Sequence, residues 1–233
     1  MKNELFHGSK GGITNFQELK ELVVHELLAN KCGLKFLDFG CGYGTDMRFF
    51  QTFEPIGVDV SKKKLMMAKK YGEVILASGE CLPFKDGCFN IVMEDHVLHH
   101  LRSAYLGLSE IRRCLGRGGF FFFNEVVENN PLISIGRTIY PYYEGIPVTS
   151  RFRKEDINNW LCTCDFRIVT CGEAVFILGV WNALVQRFKF LGRITRVIAS
   201  LEVWLENHLN KFAGHYFGLA KLNRAESRAY CKE

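Results

Sequence analysis

One stretch limits what this chain can become: Lys35-Phe36-Leu37-Asp38-Phe39-Gly40-Cys41-Gly42-Tyr43-Gly44-Thr45-Asp46. The apolar run over 34–39 predicts a short buried strand. It ends in three glycines at alternate positions, Gly40, Gly42 and Gly44. Met47, Phe49 and Phe50 then predict the first turns of a helix. Strand, glycine turn and helix open a nucleotide-type βαβ unit, in which glycines let the chain bend sharply and let a ligand approach main-chain atoms.

The glycine spacing is G-x-G-x-G rather than the G-x-G-x-x-G of dinucleotide sites, whose third glycine would fall at Thr45. No lysine follows as in a P-loop. Asp38, two residues before the first glycine, would repel a pyrophosphate and suits a ligand bearing an ammonium group. A tight turn with no ligand is the plainer alternative for a lone loop of this kind. A second apolar segment, 55–61, carries Asp59 at its carboxyl end, where a carboxylate can accept both hydroxyls of a ribose. Asp59 could instead cap the next helix, but Ser61 is the better cap for 62–71.

With these residues in place, the chain resembles the class I S-adenosylmethionine-dependent methyltransferases. The resemblance rests on Leu37-Asp38-Phe39-Gly40-Cys41-Gly42-Tyr43-Gly44 and Gly57-Val58-Asp59-Val60-Ser61. It continues through Ser78-Gly79-Glu80-Cys81-Leu82-Pro83-Phe84, Phe89-Asn90-Ile91-Val92, Val97-Leu98-His99-His100-Leu101 and Leu115-Gly116-Arg117-Gly118-Gly119. All fall in the expected order between about Phe36 and Glu125, closest to the type 11 branch that includes quinone-biosynthesis and other small-molecule methyltransferases. The resemblance implies a Rossmann-like, doubly wound α/β sheet of seven strands. It is mostly parallel, with the seventh strand antiparallel, helices on both faces and insertions after strands 5 and 6. It implies S-adenosylmethionine as cofactor and S-adenosylhomocysteine as product, held by Asp38, Gly40, Cys41, Gly42, Asp59, Val60, Gly79, Glu80 and Glu94. Two positions depart from the family pattern. Ser78 stands where an Asp usually accepts from the adenine amino group, and Glu80 is either its replacement or a solvated loop acid. Asn90 stands at a structural Asp.

Strand carboxyl ends face the ligand crevice in open α/β sheets. Glu94, Asp95 and His96 therefore sit where a methyl acceptor must lie, and Asp95 and His96 are the candidate catalytic pair. A helix starting near Val97 would put His96 and His100 on one face and turn His99 about 100° away. Packing within that helix is the plainer role for His99 and His100.

The totals bound the rest. A chain of 233 residues with 48% hydrophobic content makes a single domain with ample core. A net charge of +5 is mild and does not imply nucleic acid. The nine cysteines are scattered, without paired C-x-x-C ligands, so a reduced, cytoplasmic protein with no metal site is expected. The first residues lack an apolar leader segment, and no stretch of about 18 apolar residues occurs.

Along the chain, 1–14 reads as a mobile arm, followed by a helix capped at Asn15 with Leu19, Leu22, Val23, Leu27 and Leu28 as its stripe. Strands are expected at 74–77, 89–93, 118–126, 166–171 and 215–222, the last hairpinned to the sixth. The run Phe120 to Phe123 predicts a central strand buried on both faces. The insertion 127–153, rich in Pro, Gly and Tyr, is where this family usually builds its acceptor pocket. Its candidates, beside His99, are Arg137, Tyr140, Tyr142, Tyr143, Glu144 and Arg151. A second insertion, 175–212, is strongly helical. It packs on the sheet or a second subunit, which leaves room for a homodimer, or lies at a membrane through 181–212.

No Asn/Asp-Pro-Pro-aromatic run follows the fourth strand, and no Pro-Cys nucleophile is present, which disfavours methylation of nucleic-acid bases. The expected acceptor is a small or lipid-like metabolite, methylated on O or C. An NAD-dependent reductase, an RNA methyltransferase and a non-catalytic S-adenosylmethionine-binding protein remain as alternatives.

Overall fold

The computed structural model describes residues 16–24, 33–129, 142–143, 146–147, 150–174, 189–195, 197, 200 and 214–223. Seven strands form one sheet: β1 (Phe36–Phe39), β2 (Ile56–Asp59), β3 (Glu73–Leu76), β4 (Phe89–Asp95), β5 (Leu115–Val126), β8 (Phe166–Ala174) and β9 (His215–Leu222). Two short strands, β6 (Tyr142–Tyr143) and β7 (Ile146–Pro147), pair only with each other. The sheet order is β3-β2-β1-β4-β5-β9-β8. All neighbours are parallel except β9, which runs antiparallel to both β5 and β8. This is the expected seven-stranded, doubly wound sheet, with β8 and β9 as its sixth and seventh strands.

Among the described residues, α1 (Phe16–Val23) precedes β1, and α2 (Thr45–Phe49), α3 (Lys62–Ala68), α4 (Ala104–Cys114) and α5 (Lys154–Thr163) lie between strands. Ser61 caps α3, its hydroxyl accepting from Lys64 N at 3.3 Å, and Ser103 caps α4 through Leu106 N. Each cap satisfies a donor that the first turn leaves without an intrahelical partner.

Consecutive strand residues point to opposite faces. Leu37, Phe39, Val92, Phe121 and Phe123 join the α4 residues Leu108 and Ile111 and the α5 residues Ile157 and Leu161 in one core. Phe36, Ile91, Met93 and Phe122 turn the other way, onto Phe16, Leu19 and Val23 of α1. The phenylalanine run of β5 is therefore split between two cores, as burial of both faces requires. Asn90 does structural work: its Oδ1 accepts from Lys35 N at 2.9 Å, across to the segment that enters β1.

The chain winds outward from β1 in two directions, to β2 and β3 on one side and to β4 and β5 on the other. The switch point lies between β1 and β4, and ligands bind outside the carboxyl ends of the strands at such points. The arm 1–14 lies outside the described residues, as do most of 127–153 and 175–212; within the latter, Lys189–Ile194 forms a 3-10 helix.

Candidate active site

At the end of β1 the chain turns through Gly40 (φ +76°) and Gly42 (φ +51°), a backbone region that side chains disfavour. Gly40 N and Cys41 N both donate to Val58 O of β2, at 2.7 and 2.9 Å, which ties the loop to its neighbour strand. A side chain at Gly40 would collide with Val97. One at Gly42 would meet nothing within 4 Å, so Gly42 borders open space where a ligand can reach the backbone.

Asp59, last in β2, lies beside this loop as predicted. Its Oδ2 accepts from Gly42 N at 2.9 Å and its Oδ1 accepts from Ser61 N at 2.7 Å. Both oxygens keep a lone pair for further donors. Val60, next along, is 65% exposed. Gly79 serves packing as well as approach, because a Cβ there would lie 2.5 Å from the Phe39 ring.

Asp38 is buried beneath the loop, its Oδ2 accepting from Met47 N at 3.2 Å. Burial raises its pKa well above the ordinary carboxylate value, and the neighbouring Asp46 and Asp95 charges push it further. Asp46 forms a buried ion pair with Lys20 of α1, Nζ to Oδ1 at 2.7 Å. Sequence reading missed this pair, since Lys20 lies within a helix patterned like any amphipathic one.

Glu80 Oε1 accepts from Ser103 N at 2.7 Å, which tethers this loop to the start of α4 rather than leaving the carboxylate to solvent alone. Ser78 Oγ accepts from Glu80 N at 3.2 Å.

On the neighbouring strand, Glu94 pairs with Phe39, which places Asp95 level with Gly40 and His96 just beyond it. Asp95 Oδ1 accepts from Asn124 Nδ2 at 2.7 Å. His96 is held at φ +61°, at a cost of about 1–2 kcal/mol for a side-chain-bearing residue. Its Nε2 lies 3.6 Å from Asp95 Oδ1. Glu94 is fully buried, with Oε1 accepting from Val97 N at 3.0 Å. Burial, then the charge of Glu125, raises the Glu94 pKa well above its usual value.

The predicted pairing of His96 with His100 does not occur. The helix after β4 is a single 3-10 turn, Leu98–His100, in which residues three apart eclipse. His99 rather than His100 therefore turns to the side of His96, with ring centroids 6.2 Å apart. His99 is buried, and its Nδ1 lies 2.7 Å from Glu125 Oε2. Burial works against ionisation of Glu125, yet His99 beside it holds its carboxyl well below the usual range. Asn124 and Glu125 were legible only as polar residues ending an apolar strand. Of the remaining pocket candidates, Arg137 and Tyr140 lie outside the described residues, and Tyr143 is placed only as part of the β6–β7 pair.

Residues 37–123 match the family model described as a methyltransferase domain, of type 11. An uncharacterized protein of Methanocaldococcus jannaschii is 41% identical over 85 residues, 36% of this chain and 40% of the relative. The matches to curated relatives span less than half the length of those proteins. Among solved structures, a putative sarcosine dimethylglycine methyltransferase from Galdieria sulphuraria is similar with a TM-score of 0.65 and 14% identity, over 88% of this chain and 86% of that one. The [4+2]-cyclase SpnF is similar with a TM-score of 0.60 and 17% identity, over 94% and 86%. These structural likenesses show the fold. The matched domain and the glycine loop with Asp59 at its side agree: residues 37–123 carry a methyltransferase domain of type 11 on a class I fold, and S-adenosylmethionine is the cofactor that this domain implies.

Proposed function

We propose that this chain methylates an oxygen or carbon of a small or lipid-like metabolite. The observation that carries the reading is the Asp59 carboxylate fixed between Gly42 N and Ser61 N, with Asp95 and His96 at the carboxyl end of β4, on the other side of β1. S-adenosylmethionine, when bound, supplies a sulfonium-activated methyl group, so the protein needs chiefly to align donor and acceptor and exclude water. Asp59 and the Gly40–Gly42 backbone would hold the ribose and the chain of the cofactor. Asp38, raised in pKa, would ionise fully on meeting an ammonium group. Asp95 and His96 line the acceptor side and would take a proton from an acceptor that must lose one.

The Glu94-Asp95-His96-Val97 sequence, in place of an Asn/Asp-Pro-Pro-aromatic run, supports a metabolite over a nucleic-acid base. Contact of 181–212 with a membrane or lipid-like acceptor belongs to the same reading. No helix among the described residues is long and apolar enough to cross a membrane. A non-catalytic cofactor-binding role is the second reading, supported by Ser78, whose hydroxyl is engaged locally where the family has a carboxylate.

The test has two stages. Thermal shift should respond to S-adenosylmethionine and S-adenosylhomocysteine and not to NAD. Transfer of labelled methyl from the cofactor is then followed into aqueous and lipid fractions of a cell extract. Label in neither fraction, with the cofactor bound, would favour the second reading.

A further inference from the structure

We propose that His96, His99 and Glu125 form a site for a divalent transition-metal ion of the zinc class at the acceptor side of the crevice. One donor atom from each of the three lies within 4.8 Å of the others. The set is two imidazoles and one carboxylate, which suits zinc-type ions rather than magnesium or calcium. Three features point to a ligand there rather than to a packed core. His96 Nδ1 is buried and has no hydrogen-bond partner. The His96 backbone is held in the left-handed region at φ +61°, a strained conformation of the kind that clusters at ligand sites. His99 Nδ1 and Glu125 Oε2 already lie 2.7 Å apart, so two of the three donors converge on one place.

The surroundings fit as well. His96 Nε2 lies 3.3 Å from Asn124 Nδ2 and 3.6 Å from Asp95 Oδ1, so polar side chains stand on the ring edge opposite Nδ1, where outer partners of a metal-bound histidine belong. His215, the first residue of β9, stands edge-on to His96 with centroids 4.8 Å apart and closes that side. An ion in this place would select an acceptor carrying an oxygen donor, a hydroxyl or carboxylate, a consequence that rests on the methyl-transfer reading.

The 233-residue chain, stripped with EDTA and titrated with Co2+ and Zn2+, tests the site. The expected result is one ion per chain, with a visible Co2+ spectrum of nitrogen and oxygen ligation and no thiolate charge-transfer band. Affinity should fall at least tenfold in His96→Gln and in Glu125→Gln. His96→Gln alters a partly exposed ring and should keep the melting temperature of the metal-free protein, so its result stands even where Glu125→Gln fails to fold. No saturable binding, a thiolate band, or unchanged affinity in His96→Gln would overturn the proposal. Calorimetry with S-adenosylmethionine on the same metal-free samples separates the two readings. Cofactor binding without metal binding retires the metal site alone; metal binding without cofactor binding upholds the site and retires methyl transfer.

Discussion

Asp59 Oδ2 accepts a hydrogen bond from Gly42 N at 2.9 Å, joining the last residue of β2 to the glycine turn after β1. The contact sets the spacing between the side chain that would grip a ribose and the backbone that would border the rest of the cofactor. Asp59→Ala should weaken S-adenosylmethionine binding by more than tenfold, or about 1.4 kcal/mol, in isothermal calorimetry. The loss of two N–H acceptors at a partly exposed site should cost stability only about 1–2 kcal/mol. Undiminished affinity would sink the ribose assignment.

The two glycines of the turn should separate under substitution. Gly42→Ala meets open space, so its cost to the unliganded protein should be the backbone term of about 1–2 kcal/mol, with the larger effect on cofactor affinity. Gly40→Ala adds a collision with Val97 and should lower the melting temperature more. Chemical denaturation of both variants checks the order; the reverse order would contradict the turn geometry.

Lys20→Met should destabilise by about 3 kcal/mol, because Asp46 then stays buried without its cation. Burial raises the Asp46 pKa and Lys20 opposes that rise. Without Lys20 the folded-state pKa climbs further above the unfolded value. A raised carboxyl pKa costs stability as pH rises through the unfolded and up to the folded pKa. The variant should therefore regain melting temperature on acidification from neutral pH toward pH 5, relative to the parent. Adding Asp46→Leu should restore much of the loss at neutral pH.

Arg113 Nη1 and Nη2 donate to Phe84 O and Leu82 O at 2.6 and 3.0 Å, while Glu110 Oε2 accepts from Leu82 N at 2.8 Å. Arg113 lowers the Glu110 pKa, so this contribution is present above the unfolded carboxyl pKa and fades as pH falls through the folded one. Arg113→Ala should speed amide hydrogen exchange in 78–86, and exchange at the parent rate would show that the loop is held by other contacts.

Cys114 is buried and its pKa is pushed up to about 12, while Cys81, Cys162 and Cys171 are exposed. Mapped alkylation of the native protein near pH 8 should label those three well before Cys114, since the thiolate is the reactive form. Equal labelling would contradict the packing of α4 on the sheet.

Much of the fold was readable along the chain. The run 34–39, the alternate glycines and the phenylalanines of β5 each state a local rule: apolar residues bury a strand, glycines permit a left-handed turn, and an uninterrupted run needs cover on both faces. Asp59 was readable too, although Gly42 lies 17 residues away, because a βαβ unit sets its two parallel strands side by side and brings the end of the second to the turn after the first. Glu80 shows where that legibility stops. Its partner, Ser103 N, lies 23 residues away, and no local pattern distinguishes a tether from a solvated acid. Lys20 with Asp46, and His99 with Glu125, are each 26 residues apart, joined only when the sheet sets its strand order and α1 closes over it. Periodicity fixes which way a side chain faces relative to its own backbone; what it meets there depends on the register of neighbouring strands, and that is decided by packing of the whole domain.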